Sequence, residues 1–117
     1  MVVGVLELTM AVPASTLKEK RSVVRKTLNR TRQRFPVSAA EVAEQDVVST
    51  MVIGITYVDA ESKRVESLLM KVERFIETLM LAEPFDRFMR LEYYWVTGVY
   101  NDHAEKKSRW RDQESDF

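Results

Sequence analysis

The stretch Val47–Val58 is β-branched and apolar on both of its alternating faces, with Met51, Ile53, Ile55 and Tyr57 on one and Val48, Val52, Gly54 and Val58 on the other. A strand with no polar face belongs in the middle of a sheet, with something covering each side of it. This one segment therefore predicts a layered β-containing domain with a buried central strand, and the rest of the chain has to supply its neighbours and its cover.

The neighbours are legible on either side of it. Val2–Val12 alternates, placing Val2, Gly4, Leu6, Leu8, Met10 and Val12 on one face and Glu7 and Thr9 on the other, as in a half-buried strand. Pro13 and Ala14 close it. Thr16, followed three residues later by Glu19, fits a capping box that opens a helix, and Leu17, Val24, Leu28, Thr31 and Phe35 fall within about 40° of one line along that helix. Pro36 ends it, and Val37–Gln45 is compatible with a second strand. Beyond the central strand, Asp59 is positioned to cap a second helix, whose apolar residues Val65, Leu68, Leu69, Val72, Phe75, Ile76 and Leu79 recur at helical spacing. Pro84 interrupts the chain again, and Phe88–Val99, through Leu91, Tyr93, Tyr94, Trp95 and Val96, has the composition of a last strand.

The order β, α, β, β, α, β with right-handed crossovers predicts an α+β, ferredoxin-like βαββαβ sandwich, a four-stranded antiparallel sheet with both helices on one face. The expected domain spans residues 1–99, followed by a polar extension over residues 100–117 that is read as dangling. Helices on one side leave the other side of an apolar central strand bare, so a homodimer joined through the open sheet face, or the C-terminal extension itself, is the expected cover.

A chain of 117 residues without cysteine has neither disulfides nor thiolate metal sites, and a cytoplasmic location is expected. Met1–Val12 has no basic n-region and Val47–Val58 is too short to span a bilayer, so neither a signal peptide nor a membrane segment is expected. His103 is the lone histidine, and strand alternation puts Glu41 opposite Glu44 and Asp46, which argues against a metal site or paired catalytic carboxylates. The isolated glycines Gly4, Gly54 and Gly98 form no phosphate-binding loop; Gly4 and Gly54 are expected to admit a helix close to the sheet. Tyr93, Tyr94 and Trp95 are read as core on one face and dimer interface on the other. No catalytic residue and no cofactor is expected.

Net charge is zero, but its distribution is lopsided. Lys18–Arg34 holds eight basic residues against the single acid Glu19, a local net of +7, whereas Glu41–Glu61 holds five acidic residues and no basic one. Lys18, Lys20 and Arg21 crowd the positive end of the helix dipole, where each exposed cation costs roughly 0.3–1 kcal/mol. Such a cluster makes sense if an anion docks there, and the candidate anion-binding residues are Lys18, Lys20, Arg21, Arg25 and Arg32. Lys18, Arg21, Arg25 and Arg32 form one ridge at about 40–100° from Leu17, with Lys26 and Arg30 on the far side. The plainer possibilities are a solvated face, or neutralisation by Glu41, Glu44 and Asp46. Base stacking of the RRM kind is not expected, because Leu6–Met10 has no aromatic and Val48–Val58 has only Tyr57.

Thr16-Leu17-Lys18-Glu19-Lys20-Arg21, then Phe35-Pro36-Val37-Ser38 and Ala40-Glu41-Val42 with Gln45-Asp46 following, resemble the pattern of the YlxP-like family of small bacterial proteins over residues 1 to 97. Thr16 stands where that family usually has serine, and Pro36 where asparagine is common. The resemblance implies a ferredoxin-like fold and a gene often placed among translation genes, beside those for ribosome-binding factor A and an initiation factor. It implies no known reaction. Together with the basic helix it leads to the expectation of a non-enzymatic, ribosome- or RNA-associated protein. The alternative is a homodimeric interaction module whose basic helix engages an acidic protein.

Overall fold

The computed structural model of the chain describes residues 1–95. The expectations for Gly98, for His103 and for the extension over residues 100–117 lie outside them. The elements are β1 (Val2–Ala11), α1 (Leu17–Arg34), β2 (Ser38–Ala43), β3 (Thr50–Asp59), α2 (Ser62–Leu79) and β4 (Glu83–Tyr93). They form one antiparallel sheet in the order β2-β3-β1-β4, the expected ferredoxin-like arrangement, with β3 and β1 in the centre. No helix among the described residues is long and apolar enough to cross a membrane.

Alternation in β1 sends Val2, Leu6, Leu8 and Met10 into the core, where they meet Met51, Ile53 and Ile55 of β3. From above, α2 contributes Val65, Leu69, Val72 and Ile76, all buried, which are four of the residues its periodicity singles out. Gly4 is what lets this helix settle: a Cβ there would collide with Val65 Cγ1 and lie 2.6 Å from Leu69 Cδ1. Gly54 differs from expectation. Its missing Cβ faces not a helix but Val42 Cγ1, 2.8 Å away, because a bulge in β2 folds that valine over the open side of the sheet.

Two boundaries shift for physical reasons. Asp59 ends β3 rather than capping α2: the N-cap is Glu61, which makes no side-chain cap bond, and Asp59 Oδ1 instead accepts from the Glu61 N–H at 3.1 Å. β4 begins five residues earlier than Phe88 and runs through Pro84. It is an edge strand, where a proline's missing donor is tolerated, and the register slips beside it between Thr9 and Met10. A bidentate ion pair fastens β4 to α2, with Arg87 Nε 2.7 Å from Glu73 Oε2 and Nη2 2.8 Å from Oε1.

The side of the sheet away from the helices carries Val3, Val5, Glu7 and Thr9 of β1, Val52, Gly54, Thr56 and Val58 of β3, and Asp86, Phe88, Arg90 and Glu92 of β4. Val52 is buried but Val58 and Phe88 are exposed. The aromatic end of β4 is no core: Tyr93 is 68% and Trp95 70% exposed.

The two glycines separate by substitution. Gly4→Ala forces α2 off the sheet and is expected to cost about 1–3 kcal/mol. Gly54→Ala displaces only the exposed Val42 and is expected to cost less than about 1 kcal/mol. Urea unfolding of the two variants checks the ranking; equal costs would contradict the packing described.

Candidate nucleic-acid interface

The first helix starts as its sequence predicts. Thr16 Oγ1 accepts from the Glu19 N–H at 3.1 Å, and Glu19 Oε2 reaches back to accept from the Ser15 N–H at 2.9 Å. The capping box thus sets a carboxylate of the chain's own at the positive end of the helix. Glu19 therefore occupies the helix end where an external anion is expected from the sequence, and the exposed cations that remain lie along the flank. At the other terminus the Phe35 N–H donates to Thr31 O before Pro36 turns the chain away.

The buried face of α1 is only partly apolar. Val24 and Leu28 are buried, but so are Thr27 and Thr31, whose hydroxyls donate to the carbonyls of Val23 and Thr27 four residues back, each at 2.8 Å. The fifth buried residue is Lys20, with no exposed surface at all. Its Nζ lies 2.7 Å from Glu44 O, 3.2 Å from Gln45 O and 2.7 Å from Glu41 Oε2. That carboxylate oxygen is buried and has no other partner among the described residues. Glu44 adopts a left-handed backbone, φ 58°, which turns its carbonyl where both Lys20 Nζ and the Val47 N–H can reach it.

Lys20 is accordingly removed from the anion-binding set. It is a bolt between α1 and the β2–β3 turn, and no surface ligand reaches its ammonium. The helical wheel carries the signal: at 100° per residue Lys20 falls about 60° from Leu17 on the side of Thr27, across Leu17 from the ridge of Lys18, Arg21, Arg25 and Arg32. Neutralisation by Glu41 is real, but it is spent on this one lysine.

The remaining cations of α1, namely Lys18, Arg21, Arg25, Lys26, Arg30, Arg32 and Arg34, are exposed. Two are tethered. Arg32 Nη2 donates to Ala39 O of β2, and the Arg34 guanidinium sits 5.9 Å from the centre of the Phe75 ring of α2, which itself packs edge-on against Phe35. These contacts orient the helix: the flank with Arg32 faces β2, the flank with Arg34 faces α2. Lys18, Arg21 and Arg25 share the β2-side flank with Arg32, and no carboxylate among the described residues pairs with them. The ridge of the sequence is thus present without Lys20, with three unpaired cations and a fourth partly engaged. On the open sheet face, β1 and β3 present no aromatic ring, since Tyr57 points to the helix side and donates to Asp59 Oδ2 at 2.9 Å.

Among the described residues no cluster of histidine or carboxylate side chains is arranged to hold a metal ion. The other compact group of ionisable residues is Tyr57, Asp59, Glu61 and Arg64. The Glu61 N–H, with the Tyr57 hydroxyl second, holds the Asp59 carboxyl below its ordinary range, and the same hydrogen bond raises Tyr57. Arg64 lowers Glu61. Those bonds secure the β3–α2 connection.

The fold and its basic flank define a small βαββαβ domain with a charged first helix, and that class can be made more specific. Residues 3–87 match the DUF503 family, described as a protein of unknown function, and the chain belongs to it. It is 35% identical over 65 residues to the uncharacterized protein YlxP of Bacillus subtilis (strain 168), an alignment covering 56% of this chain and 71% of that one. Among solved structures it is similar to a de novo designed protein with ferredoxin fold, LFR1 1, with a TM-score of 0.50 at 15% identity over 88% of this chain and 96% of that one. A cofactor-independent oxygenase from Streptomyces nogalater, SnoaB, overlays with a TM-score of 0.41 at 14% identity over 84% of this chain and 97% of that one.

Lys20→Met is expected to destabilise by about 3 kcal/mol, the low end for breaking a buried pair because Glu41 keeps some contact with water. Lys20→Met with Glu41→Leu should recover part of that loss in denaturant titration; no recovery would show that the carbonyl contacts alone matter. Because its folded-state pKa is lowered, Asp59 contributes stability that is present above the ordinary carboxylate pKa and lost as pH falls through the folded value. Asp59→Asn should flatten the stability profile below pH about 4, measured by thermal melts across pH.

Proposed function

We propose that this protein is a non-enzymatic, RNA- or ribosome-associated domain that engages phosphates along the β2-side flank of α1 through Lys18, Arg21 and Arg25, with Arg32 at its far end. The observation that carries this reading is that those three cations have no carboxylate partner among the described residues, although the acidic stretch Glu41–Glu61 places one carboxylate where it does pair a lysine. A helix that needed its charges only for solubility gains nothing from gathering them on one flank at the dipole end that disfavours them. The capping carboxylate of Glu19 turns attention to the flank, and a run of side chains along a helix matches the spacing of a phosphate backbone better than a single anion.

Bare sheet centre strands without aromatic rings favour recognition of shape and charge over base reading. Binding should therefore be insensitive to sequence and strongly sensitive to salt. With three to four phosphates engaged, log affinity against log salt is expected to fall with a slope of about −2 to −4. Reversal of Lys18, Arg21 and Arg25 to Glu should abolish binding, whereas reversal of Lys26 and Arg30 should leave most of it. Native extract fractionated on a density gradient at low and high salt, with and without nuclease, gives the cellular test. Co-migration with ribosomes that is lost in high salt supports the proposal. Partners retained after nuclease would instead identify an acidic protein as the ligand of the same flank.

A further inference from the structure

β4 is an edge strand of eleven residues, paired on one side with β1 and, among the described residues, bare on the other. Exposed edges of this length template pairing with another strand unless something blocks them. Pro84 and the register slip block only its start, and the charges that follow, Asp86, Arg87, Arg90 and Glu92, are of both signs, so they repel some partner strands and match others. From Asp86 to Tyr93 the register with β1 is unbroken.

The direction of the backbone groups can be read from the end of the strand. Tyr94 exchanges both hydrogen bonds with Met1, its N–H donating to Met1 O at 2.8 Å and its carbonyl accepting from the Met1 amino group at 3.1 Å. Alternation then turns the N–H and C=O groups of Glu92, Arg90, Phe88 and Asp86 toward β1, and those of Leu91, Met89 and Arg87 outward. The Arg87 N–H is held at 2.8 Å by the Asp86 carboxylate, as an outward-facing donor without a strand partner would be.

The side chains of this strand are complementary to themselves. We infer that β4 is an association surface for a second copy of this chain, the two strands pairing antiparallel about a two-fold axis at Phe88, to give one continuous eight-stranded sheet. Phe88 is the midpoint of Glu83–Tyr93, so this register pairs the strand over its whole length. Phe88 faces its own symmetry mate in a non-hydrogen-bonded pair, where side chains approach most closely, and both rings are now 52% exposed on the open face. On either side Asp86 falls opposite Arg90 of the second copy, and Arg87 exchanges backbone bonds with Met89. The Arg90 side chain is 67% exposed, and its ion pair with Glu92 is a long one, 3.5 Å from Nε to Oε1.

Shifting the axis spoils the match. At Met89 it sets Asp86 against Glu92, at Arg87 or Arg90 it sets arginine against itself, and like charges directly opposite destabilise. At Leu91 it would pair Arg90 with Glu92, but most of the strand would have no partner. This inference and the phosphate reading stand on different elements, and either can fail without the other.

The full chain is expected to dimerise reversibly in sedimentation velocity. D86R alone and R90D alone place like charges opposite each other twice per dimer and should raise the dimer dissociation constant tenfold or more, roughly the effect of two lost pairs. Mixed in equal amounts, the same two variants restore attraction at both positions and should associate with each other as heterodimers. Circular dichroism checks that each variant is folded. V58K, on the open face but far from β4, should leave the dimer intact. A wild-type chain that stays monomeric, reversals without effect, variants that fail to associate when mixed, or loss of the dimer in V58K alone would each overturn the assignment.

Discussion

The contact between α2 and β1 at Gly4 sets the rest of the molecule. Because that position has no side chain, Val65 and Leu69 sink against the sheet, and α2 covers β3, β1 and β4. The β2 side of the same face is then left for α1, which lies mainly against β2 and α2 and joins the core through Val24 and Leu28. A helix lodged at the margin needs less apolar surface than one lodged over the centre. This accounts for a buried face of α1 built of two aliphatic residues, two threonines that satisfy themselves and one lysine.

That lysine shows how one helix holds two kinds of cation. Burial of an ammonium costs several kcal/mol unless its protons and charge are met, and around Lys20 two carbonyls and a carboxylate meet them. Forming the site fixes the β2–β3 turn as well, since it requires the left-handed Glu44. Among the described residues no such oxygen cage surrounds Lys18, Arg21 or Arg25, which stand exposed on the flank. The distinction is geometric rather than compositional, because all four occur within eight residues of sequence.

The order of elements, the sheet topology and the apolar face of α2 were legible because each rests on a periodicity that repeats several times. Single residues at junctions were less so. Asp59 has the chemistry of a helix cap but sits two residues too early, and only the length of β3 decides that. Pro84 reads as a break unless its strand is known to be an edge, which is a property of the sheet order. Tyr93 and Trp95 have side chains of the core-forming kind, yet both stand exposed at the end of an edge strand, a position that only the sheet order reveals. Along the sequence Lys20 is one cation among several; the wheel separates it from the ridge, but its acceptors lie 21 to 25 residues on and two are backbone atoms with no sequence signature.

The basic flank and the bare strand edge lie on opposite margins of the sheet. The orientation of α1 follows from Arg32 on β2 and Arg34 on Phe75, so the ridge looks outward past β2, while β4 ends the sheet on the other side. Pairing through β4 keeps both helical layers on one side of the extended sheet, with the two α2 helices inside and the two α1 helices outside. The β2 strands would then stand about 34 Å apart, seven strand spacings. Self-association of this kind adds a second ridge without covering the first, and an extended polyanion long enough to span both would be held by two attachments instead of one, with the gain in avidity that linked sites provide.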